Sequence, residues 1–140
     1  MKMLRLIVLA VPLASFCVPA SAKDAPLYKT RDCSALIAQM DMNACAGDND
    51  DAADARLNEV YKQLMASRSD PVAKQSIRDA ERSWIKYRDK HCEEATAEEE
   101  GGSIRPMMMS NCLQDETDKR IRSLQRMLVC TAGVSVCNPQ

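Results

Sequence analysis

Aromatic residues are almost missing from this chain: one Trp, three Tyr and one Phe among 140 residues. Its core must therefore come from Leu, Ile, Val, Met and Ala, and in a chain this short such a core is modest. Histidine occurs once, as His91. A lone histidine beside Cys92 does not make a metal site, because zinc sites need several Cys or His ligands and a disulfide-bonded cysteine is not one. Positive charge is not in excess either. The formal net charge is −1, so neither nucleic acid nor an anionic membrane surface is indicated as a partner. Also absent are a nucleophile elbow, a metal-ligand motif and a phosphate-cradling glycine loop. The chain reads as a non-enzyme that needs no cofactor. No internal repeat or low-complexity tract occurs, and the one strand-like stretch, residues 129–136, is weak.

Cysteine, in contrast, is plentiful, and it follows a secretory leader. Lys2 and Arg5 form a basic n-region, residues 6–18 an apolar h-region interrupted by Pro12, and Ala20-Ser21-Ala22 an A-x-A cleavage site. Residues 1–22 are expected to leave as a signal peptide, and 23–140 to form a single domain. The apolar stretch is too short for a comfortable membrane span, so no stable insertion is expected after cleavage. Phe16 in front of Cys17 is wrong for a lipid-attachment site, which wants a small residue there, so Cys17 is read as discarded with the leader. An even set remains: Cys33, Cys45, Cys92, Cys112, Cys130 and Cys137. Disulfides persist outside the cytoplasm, so the protein is expected to be periplasmic or secreted. Each bridge supplements the small core by about 2–4 kcal/mol.

Apolar periodicity predicts three helices. The first covers about 52–65, with Asp48 to Asp51 as cap candidates and Ala53, Leu57, Val60, Tyr61 and Leu64 as its buried face. A short helical turn near 39–46 precedes it, ended by Gly47. The second starts at Asp70-Pro71, an N-cap followed by a proline suited to the first helical position. Its stripe is Ala73, Ile77, Ala80, Trp84, Tyr87 and His91, and Gly101-Gly102 stops it. The third begins near Met107, with Leu113, Thr117, Ile121, Leu124 and Leu128 facing inward. Residues 23–31 are a polar lead-in. Short connections predict up-down-up packing. The fold class is all-α: a small disulfide-stapled antiparallel bundle of three main helices plus a short N-terminal helical turn.

This topology restricts the cysteines. Cys45, Cys92 and Cys112 lie at one pole, while Cys130 lies at the other, within reach of Cys137. The expected pairs are Cys130–Cys137, Cys33–Cys45 and Cys92–Cys112, with Cys33–Cys112 plus Cys45–Cys92 as the alternative for the latter four. Were 33–45 a straight helix, its ends would be roughly 18 Å apart. A disulfide needs Cα atoms closer than about 7 Å, so the first pairing requires a bend near Ala38-Gln39.

The order of residues resembles a known family. Cys33, Gln39, Met42-Asn43-Ala44-Cys45-Ala46 and Asp54-x-x-Leu57-Asn58-x-x-Tyr61 are similar to the start of the LprI-type lysozyme-inhibitor family. Trp84-Ile85-x-Tyr87-Arg88-Asp89-x-x-Cys92 resembles its second block. Gly101-Gly102-Ser103, Cys112, Thr117-x-x-Arg120 and Leu124 resemble the third. The family pattern often has Gln at the position of Glu81 and Thr near Ala38, and the Cys130/Cys137 tail lies outside it. The resemblance implies a secreted helical domain that binds and inhibits lysozyme-type cell-wall glycosidases. The alternatives are an envelope interaction module without such activity and an immunity protein against a wall-degrading toxin.

Two groups of residues stand out. Asp54 and Arg88 fall at matching heights on antiparallel helices and read as a structural ion pair. Asn58 and Arg120 read likewise as structural, and Tyr61 and Trp84 as core anchors beside Leu57. Glu98, Glu99, Glu100, Ser103 and Arg105 lie between Cys92 and Cys112. A bridge there would preorganise the loop for binding. Many lysozymes are basic and carry paired carboxylates in a cleft. The glutamates therefore suit the rim of such a contact, with Ser103 or Arg105 nearer the carboxylates. Met107-Met108-Met109 has thioethers that suit soft metals, but it reads as the packing of a helix start.

Overall fold

Asp70 starts the second helix as its position beside Pro71 predicts: its carboxylate accepts from the backbone N–H of Val72 at 3.0 Å and of Ala73 at 3.1 Å. The computed structural model describes residues 27–131. These contain α1 (Gln39–Ala66), α2 (Pro71–Ala95), a 3-10 turn (Ala97–Glu99) and α3 (Arg105–Thr131), and among the described residues there is no strand. The leader with Cys17, and Cys137 with the expected Cys130–Cys137 pair, lie outside the described residues. No helix among the described residues is long and apolar enough to cross a membrane.

Contacts along the helices set their directions. Asn43 of α1 meets Ser103 just before α3, and Arg68 just after α1 meets Met127 near the end of α3. Thus α1 and α3 run parallel. Arg88 reaches Asp54, and Arg120 reaches Glu81, so α2 is antiparallel to both. The up-down-up arrangement follows.

One expected element differs. The short turn at 39–46 and the helix at 52–65 are a single 28-residue helix that continues through Gly47. Gly47 does not take the positive φ of a helix stop; among the described residues only Gly101 does. The aspartates at 48–51 therefore lie inside α1 rather than capping it. A glycine inside a helix destabilises it by only about 1 kcal/mol relative to Ala. The apolar and cystine contacts on both sides outweigh that.

Leu57, Val60, Leu64, Ile77, Ile121 and Leu124 form the buried core. Leu27 and Tyr28 pack against it, so the lead-in is not merely polar. Tyr28 accepts a hydrogen bond from Gln114 Nε2 at 2.9 Å. Partial burial pushes its hydroxyl up to about 12.

The stripe expected on α2 is also rotated. Ile77 is buried and Trp84 packs on the core, but Tyr87 is 56% exposed and Ala80 faces solvent. The inward positions are Ile77, Glu81, Trp84, Arg88 and Cys92. Two of these are charged, so a search for apolar spacing passes over them.

Candidate functional site

The chain turns back at its start. Leu36 N–H donates to the Cys33 carbonyl, and Ala38 is extended at φ −77°, ψ 130° directly before α1. This bend brings the Cα atoms of Cys33 and Cys45 to 6.0 Å, and the two form a disulfide. Cys92 and Cys112 form the second, with Cα atoms 5.7 Å apart. These are the two local pairings, not the alternative that crosses them. Arg31 and Asn49 add to the same end: Arg31 N–H donates to Asn49 Oδ1, Asn49 Nδ2 donates to the Arg31 carbonyl, and Arg31 pairs with Asp48 at 2.8 Å.

Between Cys92 and Cys112 the loop is held at several points. Thr96 is buried, and its hydroxyl donates to the Cys92 carbonyl at 2.8 Å. Gly101 has φ 76°, a left-handed conformation that glycine adopts without penalty. Gly102 N–H donates to the Glu99 carbonyl at 2.8 Å, and a Cβ on Gly102 would lie 3.0 Å from that oxygen. A side chain at 102 would therefore push the turn open. Arg105 closes the loop from the other side, donating to the Thr96 carbonyl and pairing with Glu100 at 2.9 Å. Ser103 offers its carbonyl to Asn43 Nδ2 at 3.0 Å, which ties the loop to the first turns of α1.

The expected loop residues therefore divide. Glu98, Glu100 and Ser103 are exposed, and Glu99 is partly covered. Arg105 makes its contacts inside the loop and acts as a brace. Around the start of α1 stand two uncovered residues that the sequence reading did not single out. Ile37 is 94% exposed and Met40, one turn before Asn43, is 78% exposed. Their signal was available: both are apolar and neither belongs to the buried face of a helix. The pole thus combines a braced loop, an acidic edge and two uncovered apolar side chains.

Deeper in the bundle the polar residues form a connected layer. Arg88 donates to Asp54 Oδ1 at 2.8 Å, Asp89 Oδ1 at 3.0 Å and the buried Thr117 hydroxyl at 3.0 Å. Burial works against the Arg88 charge, but Asp54 and Asp89 outweigh it and hold the guanidinium above its ordinary range. Asp50, one turn before Asp54, is pushed up to about 6, chiefly by burial and then by the Asp54 charge. Arg120 donates through Nε and Nη2 to Glu81 Oε2, at 2.9 and 2.7 Å. The Arg88 and Arg120 guanidinium carbons lie 5.3 and 5.6 Å from the Trp84 ring centre, within cation–π range. Leu57, Asn58 and Tyr61 face the gap between α1 and α2. No three His, Cys, Asp or Glu side chains among the described residues are placed to hold a metal ion.

A family model described as lysozyme inhibitor LprI matches residues 31–124, which contain both disulfides, the loop and the polar layer. An uncharacterised protein of Rhizobium meliloti (strain 1021) is similar to this chain, 34% identical over 131 residues, covering 85% of this chain and 94% of the relative. No solved structure matches.

Proposed function

The chain belongs to the LprI lysozyme-inhibitor family, and from that premise we propose that it binds a lysozyme-type glycosidase outside the cytoplasm, in the periplasm or after secretion, and blocks its cleft. The observation that carries this reading is the brace on the loop at 96–105. Five restraints hold it: the Cys92–Cys112 bridge, Thr96, Arg105, the Gly102 turn and the Asn43–Ser103 bond. A loop ordered before contact loses little conformational entropy on binding. Ile37 and Met40 supply the apolar area that a charged loop lacks, and uncovered apolar side chains of this kind mark interaction surfaces.

Electrostatics assigns the parts. Glu98 and Glu100 at the edge attract a basic enzyme and raise its rate of encounter. They do not suit the floor of the cleft, where carboxylates already sit. Ser103, at the uncharged tip beside Gly101 and Gly102, meets those carboxylates without repulsion. The protein acts by occupying the cleft and performs no chemistry of its own.

The test is a lysis assay on cell-wall substrate, with the oxidised protein and both a chicken-type and a goose-type lysozyme. Dose-dependent, stoichiometric protection is expected. Replacing Glu98, Glu99 and Glu100 together with Gln is expected to weaken binding and flatten its salt dependence, because surface charge pairs are screened by salt. Met40→Glu should weaken binding at every salt concentration. Protection unchanged in both variants would remove the loop pole from the interface. No protection against either enzyme, with disulfides intact, would leave an envelope interaction module with a different partner.

A further inference from the structure

We propose that the cleft between α1 and α2 is a docking surface for a second copy of this chain, seated antiparallel across it on a two-fold axis through Ile85. The cleft is open, with Leu57 and Tyr61 on one wall and Arg78, Arg82 and Ile85 on the other. Its charge reverses from one end to the other. Towards the start of α2 it is basic: Arg78 donates to the neutral Gln75 side chain, and Arg82 is 72% exposed with Asp79 no nearer than 3.7 Å. Towards the end of α2 it is acidic. Asp54 and Asp89 are each about half exposed and flank the largely buried Arg88, and Asp51 is exposed nearby. One guanidinium thus answers three carboxylates. Burial first, and then the Asp54 charge, raises neighbouring Asp50 to about 6, with Asp51 and Asp89 adding and Arg88 opposing.

The spacing of these residues makes the surface complementary to itself. On α2, Arg78, Arg82 and Asp89 stand seven before, three before and four after Ile85, so all share its side of the helix. On α1, Asp51 and Asp54 share the side of Asn58 for the same reason. At 1.5 Å per residue, Arg82 lies about 4.5 Å and Arg78 about 10.5 Å from the level of Ile85 in one direction. Asp54 is level with its partner Arg88, which puts Asp54 about 4.5 Å, Asp89 about 6 Å and Asp51 about 9 Å away in the other direction. A half-turn about Ile85 therefore brings Arg82 onto the partner's Asp54 and Asp89, and Arg78 onto the partner's Asp51. In such an isologous contact every pair forms twice. Ile85, 40% exposed, meets its own copy on the axis.

Other occupants fit less well. A uniformly acidic partner is repelled at one end of the cleft and a uniformly basic one at the other. A neutral apolar helix would strip water from both ends and pair neither. The partner must carry the same two charges in reverse order at the same spacing, and this chain does so when turned end for end. Lys86 and Lys90 do not spoil the acidic end: they lie about 100° and 140° around α2 from Ile85, and Lys90 pairs with Glu93. The two loop poles are left at opposite ends of the dimer, about 40 Å apart along α2. A short, polar interface of this kind belongs to the weak class, so a micromolar dissociation constant is expected.

This assignment stands independently of glycosidase inhibition, and its test uses no lysozyme. The oxidised protein is followed by sedimentation equilibrium up to about 1 mM, the weak end of specific association. A monomer–dimer equilibrium that weakens with salt is expected. Arg78→Glu and Asp51→Lys, measured separately, should each weaken it about tenfold or more, because like charges then meet twice. Mixed together, the two variants should associate as tightly as the unchanged chain, since both contacts are attractive again in the mixed pair. A folding defect in either variant would not give that recovery. Ile85→Glu, which sets a carboxylate against its own copy on the axis, should abolish the dimer. A chain that stays monomeric throughout, a dimer unmoved by either reversal or by Ile85→Glu, or a mixture no tighter than its separate variants would overturn the proposal.

Discussion

The two seams of the bundle are built from different materials. Between α1 and α3 the contact is apolar: Leu57, Val60 and Leu64 on one side, Ile121 and Leu124 on the other, all at most 6% exposed. Against α2 the apolar share shrinks to Ile77 and part of Trp84, and charge pairs take over: Arg88 with Asp54, and Arg120 with Glu81. The first seam stabilises by removing apolar surface from water. The second adds less, because burying ions carries a desolvation penalty that pairing only offsets. It does fix register: each guanidinium finds its carboxylate at one sliding position of α2. The Cys92–Cys112 bridge then ties the end of α2 to α3.

Three experiments sharpen or break this contrast. Ile121→Ala, in the apolar seam, is expected to destabilise most, by about 3–4 kcal/mol, since a fully buried branched side chain leaves a cavity. Chemical denaturation with intact disulfides measures it. A loss below that of an exposed control such as Val129→Ala would mean the seam is not the main source of stability.

In the charged seam the single and double changes should diverge. Glu81→Met leaves Arg120 largely buried without its partner and is expected to destabilise by about 3 kcal/mol. Adding Arg120→Met should recover most of that, because two well-packed apolar residues replace a buried pair at little net change. If the double variant is as unstable as the single one, the pair contributes net stability and the contrast between the seams weakens.

The smallest effect depends on pH. Asp50 has its carboxyl raised from 3.8 to about 6 in the folded chain. Well below 3.8, at about pH 3, it is protonated in both folded and unfolded states and imposes no penalty. As pH rises towards 6 the unfolded chain ionises more readily, so folding loses stability, and above 6 the loss is complete. Asp50→Asn is therefore expected to stabilise the protein at pH 7 by about 1 kcal/mol, after discounting for a carboxyl that is only half covered. The gain should vanish by about pH 3. Denaturation midpoints compared at these two pH values check the sign, and a gain that grows on acidification would contradict it.

The same division explains how much was legible in advance. Ala53, Leu57, Val60 and Leu64 on α1, and Thr117, Ile121 and Leu124 on α3, are spaced for one helical face each and are buried as that spacing predicts. Asp70-Pro71 marks the start of α2 for a local reason, a side chain capping its own backbone. On α2 the same method failed by a rotation of the helix, selecting Ala80 and Tyr87 and passing over Glu81 and Arg88. Apolar periodicity is blind to a buried charge, because a carboxylate becomes an inward residue only when a guanidinium on another helix waits for it. Gly47 misled for a related reason: glycine permits a stop, but the contacts on either side decide whether one occurs. At the loop, the cysteines and glycines announced a constrained turn. That Arg105 braces it, and that Ile37 and Met40 stand uncovered at the start of α1, depended on how the segments pack.

The sequence by itself determined the helical class, the apolar seam, the cap at Asp70 and the family, because each rests on spacing within a segment or on the order of residues along the chain. Only the tertiary structure decided the inward face of α2, the Glu81–Arg120 pair, the α1/α2 cleft and the composition of the loop pole. These depend on pairings between residues far apart in sequence, and the energy of a buried charge is defined only once its partner and its solvent exposure are in place.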